Sequence, residues 1–170
     1  MAEVESYDFE GVKILPGTGQ EVSLALGSGP AGNPRSIPVY IIHGNRPGPV
    51  LALTAGVHGD ELNGVSVVHH LIHGDDHISG TADDRISRAD LAGTLICVPV
   101  VNIEGMLLEQ REAPDNRDIN RLFPGKEDGN QSQRIAYTLF ENVVKRADYL
   151  IDLHSAPHSR TNLPHVRADF

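Results

Sequence analysis

His58 and Glu61 stand three residues apart in the stretch Gly56-Val57-His58-Gly59-Asp60-Glu61-Leu62-Asn63-Gly64. If the turn between them is tight, an imidazole nitrogen and a carboxylate oxygen converge on one cation, and borderline Zn2+ accepts both ligand types. Glycines on both sides of His58 suit a backbone that must approach a bound ion and its substrate closely. A third ligand has to come from elsewhere. The candidate is His154, at the polar end of the apolar run Tyr149-Leu150-Ile151-Asp152-Leu153. A His-x-x-Glu pair alone is frequent by chance, so its weight comes from context: flanking glycines, a strand before it, and a third ligand at a second strand end.

A second group of residues suggests how a substrate would be held. Arg111, Arg117, Arg121 and Asn120 fall within eleven residues, beside aspartates able to hold them in place. Guanidinium is planar, always charged and bonds in a fork, so the group suits a carboxylate clamp. A surface loop of internal salt bridges reads equally well from these residues alone.

The elements that must position these side chains follow from periodicity. Alternation over Glu21-Val22-Ser23-Leu24-Ala25-Leu26 predicts a half-buried strand, Ser36 to His43 a second, and Val50 to Ala55 a third that delivers the His58 loop. Gly27 to Pro34 reads as a spacer and Gly44 to Pro49 as a turn. Leu62, Val65, Val68, Leu71 and Ile72 recur at helical spacing and predict a helix with these residues inward. Its companions His69, His70 and His73 invite a second metal site, but a position along the rim and end of the helix, where imidazole is comfortable near a C-terminus, is the better account of them. Residues 74 to 90 read as a polar, acidic, exposed insertion whose spacing matches no calcium loop. Thr94 to Val101 reads as a buried strand and 111–125 as a long loop. Gln131 to Arg146 reads as a helix with Ile135, Leu139, Val143 and Val144 inward, and Tyr149 to Leu153 as the last strand. Strands alternating with helices imply an α/β sheet, in which ligands gather at the carboxyl ends of strands. Both His58 and His154 are expected there.

Bulk properties narrow the classes. A length of 170 residues is one domain's worth, and 39% hydrophobic with 22% charged residues describes an ordinary globule with a sizeable core. No apolar run approaches the roughly 20 residues that span a bilayer, so no membrane partner is expected. The first ten residues are acidic and lack an apolar signal core, which makes the cytoplasm the expected compartment. Cys97, the single cysteine, excludes an internal disulfide framework and any Cys-rich zinc module, and is expected to be a buried small hydrophobe. A net charge of -9 argues against nucleic acid, which needs a basic stripe. The sequence carries no signal for an oligomeric state.

Taken together, Gly-Val-His-Gly-Asp-Glu at 56–61, Asp-Ile-Asn-Arg-Leu-Phe-Pro-Gly at 118–125 and Asp-Leu-His-Ser at 152–155 resemble, in order and separation, the succinylglutamate desuccinylase/aspartoacylase family. That family is a branch of the zinc carboxypeptidase superfamily, and the resemblance runs from about residue 36 to the chain end. It implies an α/β fold with a mixed, largely parallel sheet flanked by helices, zinc carboxypeptidase-like and incomplete at its C-terminus. The chain is then a single zinc-hydrolase-like catalytic domain over 1–170, with 1–35 as lead-in strand and spacer and 36–170 as the family-like core. The resemblance further implies one Zn2+ per chain on His58, Glu61 and His154. Asn120 and Arg121 would grip a substrate carboxylate, and an upstream arginine would polarise the scissile carbonyl. Arg111 is the choice for that role, with Arg117 its rival and otherwise a further substrate contact. Ile119 replaces the usual leucine, a mild change.

The expected activity is zinc-dependent deacylation: hydrolysis of the amide or ester bond of an N-acyl amino acid or similar small carboxylate by metal-activated water. A metallocarboxypeptidase acting on peptides is the alternative, and a non-catalytic zinc-binding domain the third. That third arises because the family places its catalytic glutamate well beyond the second histidine, and no glutamate follows His154. The chain is therefore expected to be an N-terminal portion of a longer protein or a naturally short form, binding zinc yet hydrolysing slowly. Glu104, Glu109 and Glu112 are the substitutes in principle, although each precedes the loop that should line the other side of the site.

Overall fold

The computed structural model describes residues 4–29, 31–74, 86–157 and 160–168. Most of the predicted acidic insertion, 75–85, lies outside the described residues. A five-stranded sheet in the order β3-β4-β6-β5-β7 is the frame. It is built from β3 (Thr18–Ser28), β4 (Pro34–His43), β5 (Arg46–Ala55), β6 (Ala92–Val98) and β7 (Tyr149–Leu153). Its β3, β4 and β6 pair antiparallel, while β5 runs parallel to both β6 and β7. The parallel half carries the candidate ligands.

Strand alternation divides the core into two layers. On one face Ile37, Val39, Ile41, Ile96 and Val98 join Ile135, Ala136 and Leu139 of α3 (Gln131–Asn142). On the other, Ile42, Leu53, Leu95 and Cys97 join Val68 and Ile72 of α1 (Leu62–His73). Cys97 is fully buried and burial pushes its thiol up to about 12, so it behaves as a small hydrophobe. Among the described residues no helix is long and apolar enough to cross a membrane.

The strand expected over Thr94 to Val101 is Ala92–Val98, and four further differences from the sequence expectation have a physical reason. The Gly-Pro stretch expected as a turn over 44–49 belongs largely to β5, which starts at Arg46. A Cβ on Gly48 would lie 2.6 Å from the carbonyl carbon of Ala92, so glycine lets β5 pass the start of β6 backbone to backbone. Leu62, expected inward, is 50% exposed, and the inward place in that turn is taken by Gly64. There α1 meets β7 so closely that a Cβ would be 2.7 Å from that of Leu153. The helix expected to reach Arg146 ends at Asn142; Val143 stays buried while Val144 is half-buried in a 3-10 turn. The N-terminal hairpin of β1 (Tyr7–Phe9) and β2 (Val12–Ile14) is too short for periodicity to reveal. Its loop residues Glu10 and Gly11 both have positive φ, the conformation that two-residue hairpin turns require, and Phe9 and Ile14 are fully buried.

Candidate metal centre

β5 gives out at Ala55, and Gly56, with φ 61, turns the chain away from the sheet. Hydrogen bonds from Val101 N to Ala55 O (3.0 Å) and Asn102 N to Gly56 O (2.8 Å) hold the start of the turn against the residues following β6. This places His58 at the strand's carboxyl end and Glu61 at the first boundary of α1. Glu61 occupies the N-cap position, yet its side chain makes no capping bond. It turns instead toward the histidines. His58 Nδ1 lies 2.9 Å from Glu61 Oε1, His154 Nδ1 lies 2.9 Å from Glu61 Oε2, and the two Nδ1 atoms are 3.2 Å apart. One ligand atom from each of the three lies within 4.8 Å of the others. His58 and Glu61 are 2% and 3% exposed, whereas His154, just past β7, is 31% exposed and provides the open side.

The far nitrogens fix the tautomers. His58 Nε2 is 3.0 Å from Asp118 Oδ1, and His154 Nε2 is 2.7 Å from Asp152 Oδ2. A carboxylate only accepts, so each Nε2 carries a proton and each Nδ1 presents a lone pair inward. Two lone pairs and a carboxylate facing one another at these distances need a positive charge between them. The donor set of two imidazoles and one carboxylate suits Zn2+, and carboxylates backing both imidazoles are the outer partners that such ligands generally have. Without a metal, a proton does the work. The hydrogen bond to Asp152 and the nearby Glu61 raise the pKa of His154 to about 9, against the opposing effect of burial. Burial also works against the Asp118 charge, but the hydrogen bond from His58, with Asn120 N and Arg111, outweighs it and lowers that carboxyl's pKa.

Two predictions follow from this arrangement. Below pH 9 an incoming ion must displace the proton on His154, so its affinity rises with pH by about tenfold per unit. Zinc titration against a chelator between about pH 6 and 8 checks this, and a flat profile contradicts it. The second concerns the backing carboxylate. Thr54 Oγ1 donates to Asp152 Oδ1 at 2.7 Å, because the parallel register sets Thr54 opposite Asp152 and strand alternation puts residues 152 and 154 on one face. Asp152→Asn is expected to weaken metal binding by about 10- to 100-fold, and Thr54→Val to act less strongly in the same direction.

The arginine loop is anchored at both ends. Asp115 accepts from the backbone N (3.1 Å) and hydroxyl of Ser132 at the start of α3. Gly125 packs where a Cβ would lie 2.3 Å from Tyr137 N. Within the loop a short 3-10 helix, Ile119–Arg121, is capped by Asp118, and buried Ile119 pins it to the core. Arg111 reaches the triad: its Nη1 is 2.7 Å from Glu61 Oε1 and its Nη2 3.6 Å from Asp118 Oδ2. Its carbonyl accepts from Gly59 N at 3.3 Å, which ties it to the His58 turn. Arg121 Nε is 3.5 Å from Asp118 Oδ2 and its side chain is 82% exposed, while Asn120 and Arg117 are also exposed. Glu104 pairs with Arg35 and Gln131, not with the triad, and Glu109 and Glu112 are exposed.

Asp118, Asp152 and Thr54 were not singled out from the sequence as ligand partners. Strand alternation around His154 could have found Asp152; Thr54 needed the register.

A β5-loop-α1 unit with His58 and Glu61, a parallel neighbour ending in His154 and a mixed sheet flanked by helices define a zinc carboxypeptidase-like fold. Residues 47–170 match the model of the succinylglutamate desuccinylase/aspartoacylase catalytic domain, and the chain belongs to that family. It is 31% identical over 129 residues, 75% of this chain and 34% of the relative, to N-alpha-acetyl-L-2,4-diaminobutyric acid deacetylase of Halomonas elongata. The succinylglutamate desuccinylase/aspartoacylase structure from Rhodobacter sphaeroides superposes with a TM-score of 0.73 at 30% identity, covering 92% of this chain and 44% of that one. The product-bound ectoine utilization protein EutE (DoeB) from Ruegeria pomeroyi gives 0.67 at 30%, covering 81% and 40%. The chain thus spans about a third of the curated relative and less than half of these solved structures.

Proposed function

We propose that this chain forms the metal-binding part of a zinc-dependent deacylase, which hydrolyses the amide or ester bond of an N-acyl amino acid or similar small carboxylate. The observation that carries the reading is the reach of Arg111 into the His58, Glu61, His154 triad, which puts a fixed positive charge beside the metal ligands. One Zn2+ on these three residues would leave a position for water and can lower that water's pKa to about 7.

The chain's own residues supply the rest. Asp118 and Asp152 hold the two imidazoles with Nδ1 inward. Arg111, steadied by Glu61 and Asp118, is placed to draw a carbonyl oxygen toward the triad and to stabilise the charge that develops on it. Asn120 and Arg121, exposed on the capped 3-10 turn, offer an amide and a guanidinium to the substrate carboxylate, with Arg117 further along the same loop. A family relative named as a deacetylase of an acetylated diamino acid supports a small substrate of this kind.

The test is metal analysis of the purified protein with Ala at His58, Glu61 and His154 in turn. A panel of acyl-amino acids against short peptides then assays turnover. Loss of zinc in all three variants with turnover confined to acyl-amino acids is expected; retained zinc, or turnover of peptides alone, overturns the reading.

A further inference from the structure

A cavity of about 300 Å³ lies over the antiparallel half of the sheet, with none of the triad and none of residues 111–125 among its described walls. Its size is at the small end of the range for ligand pockets. Leu26 of β3, the start of β4, the short helix α2 (Ile103–Leu107) and the first turns of α3 enclose it. Ile103, Glu104 and Leu107 put one side of α2 against the cavity, while the backbone at Gly105 meets the His58 turn at Gly59. The cavity and the metal centre are therefore separate spaces with α2 as a partition.

Leu26, Ile103 and Ile135 give the cavity apolar walls, and its polar edge is short of acceptors. Two guanidiniums, Arg35 and Arg134, face a single carboxylate, Glu104. Glu104 is already engaged, by Arg35 Nη2 at 2.5 Å and by Gln131 Nε2. Arg35 Nε is buried and meets no hydrogen-bond partner, although buried polar atoms are nearly always satisfied and each exception calls for an explanation. Arg134 Nη1 reaches only the Gly129 carbonyl, at 3.4 Å, longer than a good N–H···O bond. We infer that this cavity binds a small amphipathic monocarboxylate, with its hydrocarbon body between Leu26, Ile103 and Ile135 and its carboxylate on Arg35 and Arg134. Guanidinium matches a carboxylate in a planar fork. An inorganic anion would leave the apolar walls in water, and a neutral hydrocarbon would leave the donors unanswered.

The inference does not rest on the deacylase reading, and its test is run on the metal-free chain in chelator, where no bound ion can capture the ligand. Hexanoate, hexanol and inorganic phosphate are titrated in turn, with affinity read by calorimetry and position by methyl NMR shifts. Hexanoate is expected to bind saturably and to shift the methyls of Leu26, Ile103 and Ile135. Hexanol and phosphate are each expected to bind about tenfold or more weakly than hexanoate, and Arg35→Gln and Arg134→Gln each to lose about tenfold or more in hexanoate affinity, the worth of one charge-assisted hydrogen bond. Arg134→Gln leaves the Arg35–Glu104 pair in place and carries the test alone if Arg35→Gln does not fold. Arg121→Gln, in the loop assigned to substrate, is expected to bind hexanoate as wild type does. Four results overturn the inference: no saturable uptake at millimolar hexanoate, hexanol or phosphate binding as tightly as hexanoate, affinity unchanged in Arg134→Gln, or shifts confined to residues 111–125.

Discussion

Glu61→Ala abolishes metal binding and also destabilises the metal-free chain. The carboxylate is 3% exposed, faces His58 Nδ1 and His154 Nδ1 at 2.9 Å each, and accepts from Arg111 Nη1 and the Ser155 backbone N, the last at 3.0 Å. Removing one partner of a buried ion pair costs about 3–5 kcal/mol when the other is left stranded. His154 and Arg111 are 31% and 33% exposed and can rehydrate, so a loss of about 1–3 kcal/mol is the better figure here. Glu61→Gln keeps the shape and some hydrogen bonds but not the charge, and is expected to lose metal with a smaller loss of stability. Metal content by atomic spectroscopy and thermal unfolding in chelator check both arms. A normal metal complement in Glu61→Ala would show that the three side chains do not share an ion.

Gly59→Ala is the most damaging single methyl that the site can receive. Its Cβ would sit 2.1 Å from the carbonyl carbon of Gly105, 2.3 Å from Met106 N and 2.5 Å from Gln110 O, all backbone, so no side chain can swing away. The His58 turn must move off the helix at Ile103–Leu107, taking with it the bond from Gly59 N to the carbonyl of Arg111. Overpacking of this kind costs about 1–3 kcal/mol, which in a chain of this size lowers Tm by roughly 2–12 °C. A matched control is Gly11→Ala in the β1-β2 turn. There a Cβ meets nothing within 4 Å and only the positive φ resists, for about 1 kcal/mol and no change in metal affinity. Equal metal affinity in Gly59→Ala and wild type would contradict the role given to this close contact.

That His58, Glu61 and His154 come together was legible in the sequence because each is a chemically distinctive side chain near the end of an apolar run, and such ends meet along one edge of a parallel sheet. What stayed hidden depends on distances between segments far apart in the chain. Thr54 and Asp152 become partners only through the register of β5 with β7. Gly64 rather than Leu62 faces the sheet because α1 and Leu153 approach within the width of a side chain, a fact that helical periodicity cannot contain. The arginine loop read equally as clamp or as surface salt bridges. The contacts that Arg111 and Arg121 make in the structure are internal ion pairs, Arg111 with Glu61 and Asp118 and Arg121 with Asp118.

Asp118 caps the 3-10 turn at Asn120 N, backs His58, and stands within 3.6 Å of Arg111 and 3.5 Å of Arg121. One carboxylate is therefore common to the candidate metal centre and to the arginine loop, and neither can be retuned alone. In a mutational cycle, changes made at the imidazole and at the guanidinium will fail to sum, since both act on the same hub. Selectivity engineered into this loop will register as altered zinc retention even where no ligand has been touched.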